Sequence, residues 1–134
     1  MAAAKYDFVI EQGSSFKLAF IYRDSLGNPV DLTNWCARLI WKTSTNNIQV
    51  FNTSNIDLSV YKFYIDGPEG KVVLMLPAST TNNFTFTDAK YDLELQSPDD
   101  LYNGGGKYTV RLLFGTASIR KRNSHSDTNL ECNT

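Results

Sequence analysis

Apolar residues recur at every second position through much of this 134-residue chain, the spacing of strands with one buried and one wet face. Between residues 88 and 95, Tyr91, Leu93 and Leu95 fall on one side while Asp92 and Glu94 fall on the other. Between 15 and 22, Phe16, Leu18, Phe20 and Tyr22 alternate with Lys17, Ala19 and Ile21. Trp35, Ala37, Leu39 and Trp41 share a face opposite Cys36, Arg38, Ile40 and Lys42, which predicts a central strand. Val72, Val73, Leu74, Met75 and Leu76 form an almost unbroken apolar run, as a strand covered on both faces requires, and Pro77 ends it. Shorter strands are expected at 6–10 and 48–51, and a last long one at 108–114, continuing past a bulge at Gly115.

Turn chemistry separates these runs. Glu11, Gln12, Gly13 and Ser14 break the first, residues 24–29 are dense in Asp, Gly, Asn and Pro, and Pro68, Glu69 and Gly70 close a middle segment of weak periodicity. Residues 78–84 read as one helical turn or a polar crossover between sheets. The pattern predicts an all-β fold, an immunoglobulin-like antiparallel β-sandwich of about seven to nine strands. Phe16, Leu18, Phe20, Trp35, Leu39, Leu74, Leu93, Leu95, Val110 and Leu112 are expected to form most of its core. Tyr91 stands two residues before Leu93, where such sandwiches place a tyrosine whose hydroxyl bonds to upstream backbone. Asp88 and Tyr91 therefore make a candidate structural corner, beside the alternative of an ordinary boundary tyrosine.

At this length one domain fits, over residues 1–120, and residues 121–134 read as a polar, aperiodic C-terminal tail. Aromatic residues make up 13% of the chain, which favours strands, and the formal net charge is -1. That balance leaves no electrostatic footprint for nucleic acid, and no segment reads as membrane-spanning, as a membrane-surface helix or as a secretory signal. Cys36 and Cys132 are expected as free thiols in a reducing compartment.

Candidate chemistry is sparse. The single histidine, His125, lies in the tail, where catalytic geometry is hard to hold. It does not combine with Cys36 or Cys132 in any metal-ligand spacing, so no metal or cofactor is expected. Asp92 and Glu94 read as a solvated strand face, and Gly104, Gly105 and Gly106 as a hairpin tip lacking the Lys and Ser or Thr of a phosphate loop. Trp35 and Trp41 are in phase with the core. Tyr61, Phe63 and Tyr64 are less clearly buried and are the first candidates for a partner contact. Arg120, Lys121 and Arg122 are candidates to orient the tail on an acidic partner surface.

Several segments, in order, carry a resemblance: residues 11–16 around Gln12, Gly13 and Ser14; 24–33, through Gly27, Asn28 and Pro29 to Asp31, Leu32 and Thr33; and Ala37, Arg38 and Leu39. Leu76, Pro77, Ala78 and Ser79 follow, then 91–95, then 111–116. Together they resemble small virion structural modules of tailed bacteriophages and prophages over residues 6–120. The resemblance implies a non-enzymatic assembly or connector protein of the tail, baseplate or fibre attachment region. It implies multiple copies packed against other virion subunits, with no small-molecule substrate, made in the host cytoplasm and carried in the virion. The longer middle, 43–66, and the tail after Arg120 depart from the pattern. A carbohydrate- or receptor-binding sandwich is the alternative reading, and an enzyme or inhibitor takes a smaller share.

Overall fold

The computed structural model of the chain describes residues 3–55, 57–100 and 106–122. In chain order the strands are β1 (Ala4–Lys5), β2 (Phe8–Glu11), β3 (Phe16–Ile21), β4 (Cys36–Thr43), β5 (Ile48–Asn52), β6 (Lys62–Asp66) and β7 (Lys71–Leu76). A single helical turn, α1 (Ala78–Thr81), precedes β8 (Asp88–Asp100) and β9 (Lys107–Arg120). They form two sheets, one ordered β9-β8-β4-β5 with β1 and β2 on the outer edge of β9, the other ordered β3-β7-β6. The chain is an immunoglobulin-like sandwich in which β3, β4, β5, β6, β7, β8 and β9 occupy strands B, C, C′, D, E, F and G.

The sandwich is not wholly antiparallel. Both β1 and β2 run parallel to β9, with Ala4 beside Leu113 and Ile10 beside Ile119. Parallel neighbours need a long connection, and here nearly the whole chain provides it.

Alternation sets the core. From the large sheet Leu39, Trp41, Tyr91, Leu93 and Leu95 point inward, and from the small one Leu18, Phe63, Val72, Leu74 and Leu76 meet them. Full burial of each such side chain stabilises by about 1.5–3 kcal/mol. Trp41 is the aromatic centre, with Phe51, Phe84 and Phe86 edge-on at ring distances of 5.0, 5.3 and 5.3 Å. Phe16, Phe20 and Trp35, expected inside, are half-buried at the margin of this cluster.

The expected bulge at Gly115 lies elsewhere. Leu93 pairs with Leu113 but Glu94 pairs with Arg111, so Leu112 is the extra residue. This shifts the inward phase of β9 from Val110 and Leu112 to Ala117 and Ile119. Gly115 has a different role. Its φ is +155°, and a Cβ there would lie 2.4 Å from the Tyr6 carbonyl oxygen. Only glycine lets the chain between β1 and β2 approach β9 so closely. That short segment is held by Tyr6 N–H on the Phe114 carbonyl at 2.8 Å and by Thr116 N–H on Asp7 Oδ1 at 2.8 Å.

Candidate interaction surface

At one end of the sandwich three distant segments meet on two side chains. Gln12 follows β2, and its Nε2 donates to the carbonyls of Asn82 at 3.2 Å and Phe84 at 3.0 Å. Its Oε1 accepts from Arg122 N–H at 3.0 Å. One amide thereby ties the β2–β3 turn to the crossover after α1 and to the exit of β9. Thr81, fully buried in α1, does the complementary work: its Oγ1 accepts from Gly13 N–H at 3.0 Å and donates to the Ser14 carbonyl at 2.8 Å. These bonds satisfy turn backbone groups that no strand partner reaches.

The basic exit of β9 lies across this hub. Arg120 pairs with Glu11 at 3.2 Å, an exposed ion pair that contributes little to stability. Lys121 Nζ reaches the Phe84 carbonyl at 3.4 Å. The Arg122 side chain covers Gly13, where a Cβ would lie 2.4 Å from Nη1. Residues 11–14 and 120–122 line a shallow cleft of about 260 Å³ between them. Arg120, Lys121 and Arg122 are therefore brought together, and the first two residues of the expected tail are tied to the sandwich. Residues 123–134, with His125 and Cys132, lie outside the described residues.

The aromatic candidates separate. Tyr61 and Phe63 are 7% and 5% exposed and belong to the core, which corrects their reading as contact residues. The Tyr61 ring stands edge-on to Phe51 at 4.9 Å, and its hydroxyl accepts from Asn52 N–H at 3.2 Å. Tyr64, one position out of phase with Phe63, is 37% exposed on the outer face of the small sheet, with Lys62 Nζ 5.0 Å from its ring centre. It does not join the basic cluster.

Asp88 and Tyr91 do not make one corner. Asp88 accepts from Ser118 Oγ at 2.8 Å, across the β8–β9 ladder. The Tyr91 hydroxyl donates to the Tyr6 carbonyl, 85 residues upstream, after crossing its register partner Gly115. Tyr91 thus fastens the β1–β2 junction rather than the connection before its own strand. Burial, then the neighbouring charge of Asp7, holds its phenol well above the ordinary value.

Gln12 and Thr81 were missing from the candidates, because in sequence they read as turn and crossover residues. Their signal was a hydrogen-bonding side chain in each of two sheet-to-sheet connections, β2–β3 and β7–β8. Cys36 carries an exposed free thiol, 3.9 Å from the Gln96 carbonyl. Among the described residues no three His, Cys, Asp or Glu converge as metal ligands, and no helix is long and apolar enough to cross a membrane. No protein-family model matches the chain, and no curated protein matches it as a relative.

Proposed function

We propose that this chain is a non-enzymatic virion structural protein of a tailed bacteriophage, an assembly or connector module of the tail, baseplate or fibre attachment region. The observation that carries this reading is the hub. The Gln12, Gly13 and Ser14 turn and the crossover that opens at Leu76 and Pro77 are two of the segments on which the resemblance rests. They are bonded to each other across 67 to 72 residues of sequence. A side-chain lock at the end of a sandwich fixes the direction in which the chain leaves β9. In a connector that direction sets where the following residues meet a neighbour, and Lys121 and Arg122 would face an acidic surface there.

Mass spectrometry of purified particles of the encoding phage or prophage tests this. The expected result is the chain at a fixed copy number per particle, with Lys121→Glu/Arg122→Glu lowering incorporation of an otherwise folded protein. Particles lacking the chain would remove the proposal.

A further inference from the structure

A second concavity of about 480 Å³, sharing the Phe84 backbone with the basic hub, opens between the β4–β5 hairpin and the extended segment 83–87 that leads into β8. None of the twelve described residues lining it is charged, in a chain that is 20% charged. Its base is the aromatic cluster: Phe84 and Phe86 are half-buried, with their rings 5.6 Å apart, and both lean on the buried Trp41. Its rims are hydroxyl and amide side chains, Thr45 and Asn47 on one side and Asn83, Thr85 and Thr87 on the other, all exposed.

Both rims are fixed before any ligand arrives. In the hairpin, Thr43 Oγ1 accepts from Asn47 N–H at 3.1 Å and lies 3.0 Å from Thr45 Oγ1, which also takes Asn47 Nδ2 at 3.3 Å. Asn46 adopts a positive φ of 67°, which closes the turn. Across the groove, Gln12 and Lys121 hold the Phe84 carbonyl, and Ile119 N–H holds the Thr87 carbonyl at 2.7 Å. The backbone of 83–87 is therefore tethered at its inner side while alternate side chains stand free.

We propose that this groove binds a neutral oligosaccharide. A sugar ring presents apolar C–H faces and a rim of hydroxyls, and the matching site has aromatic carbon beneath and uncharged donors and acceptors at the sides. Ionic ligands find no counter-charge among the described lining residues, and a wholly apolar ligand would make no use of the exposed hydroxyl and amide rims. A concavity of about 480 Å³ falls within the size range of small-ligand sites. Preorganised rims reduce the ordering that binding opposes.

The test is an array of neutral and acidic glycans probed with the isolated full chain. Any neutral hit is followed by titration of the same oligosaccharide into 15N-labelled protein. Expected are binding to at least one neutral glycan and amide shifts confined to residues 43–49 and 83–87. Asn47→Ala, Asn83→Ala and Thr85→Ala should each weaken binding by roughly 3- to 10-fold while leaving the remaining spectrum unchanged. An array without neutral hits overturns the inference, as do shifts elsewhere, or binding that withstands all three substitutions. The inference is independent of the particle role, which is read from virion composition, so either can fail alone.

Discussion

Replacing Thr81 by Val tests whether the hub is a structural lock. Valine keeps the branched outline of threonine but puts a methyl where the hydroxyl stood, so the change removes the hydrogen-bonding group at nearly constant volume. Gly13 N–H loses its acceptor and the Ser14 carbonyl loses a donor, from bonds of 3.0 and 2.8 Å. A buried polar group left without a partner costs about 1–3 kcal/mol. The turn side of both bonds is partly open to water, which compensates some of this, so the expected loss is about 2 kcal/mol in total. For a domain of this size that lowers the melting temperature by about 6–10 °C. Thr81→Ser keeps the hydroxyl and removes only a methyl, at a cost of about 0.8 kcal/mol. Urea unfolding followed by tryptophan fluorescence should therefore rank the proteins wild type, Ser, then Val, with unchanged slopes. A Val variant as stable as the Ser variant would refute the lock.

Tyr91→Phe removes the bond to the Tyr6 carbonyl and should cost about 1 kcal/mol. The wild-type phenol titrates above its unfolded value of 10.0 because burial favours its neutral form. Its stabilisation is therefore complete below pH 10 and lost as pH rises from there toward the folded value. Unfolding measured across this alkaline range should show a shallower decline for Tyr91→Phe, with the residual slope partly from Tyr22, whose phenol burial also raises. Gly115→Ala should destabilise by about 1–3 kcal/mol through the clash with the Tyr6 carbonyl. Hydrogen exchange should then accelerate first in β1 and β2, and unchanged protection there would count against the close-approach account. The β5 edge has no charged residue, and Ile48 and Val50 are 63% and 38% exposed. Light scattering should show less concentration-dependent association for Val50→Lys than for the wild type, with little change in melting temperature, and equal scattering from both proteins, including none from either, would count against β5 as an association edge.

The two-sheet architecture was legible because the alternation was strong where it mattered. Residues 36–43 and 88–96 pair without interruption from Cys36 with Gln96 to Thr43 with Ala89, and their inward phases agree with the sequence pattern. The turn residues also stood where the chain reverses. The parallel placement of β1 and β2 was not legible, since a four-residue strand carries no information about which distant edge it joins. The same holds for the bulge. A glycine inside a strand signals either an extra residue or a close approach, and Gly115 serves the second while the ladder slips at Leu112.

The burial of Tyr61 and Phe63 was hidden for a reason that follows from the small sheet itself. In β6, Phe63 opposite Leu74 and Tyr64 opposite Val73 occupy opposite faces, yet both neighbours in β7 are buried. A run such as Val72, Val73 and Leu74 hides its own phase, so the pattern of β7 cannot tell which residue of β6 faces inward. The phase is set farther off, by the Tyr61 hydroxyl reaching Asn52 N–H and its ring meeting Phe51. Once Tyr61 is fixed to β5 across the core, alternation through Lys62 forces Phe63 inward and Tyr64 out. Exposure in this segment thus depends on a contact between two sheets, and only Tyr64 among the three aromatics stands on the solvent-facing side of the small sheet.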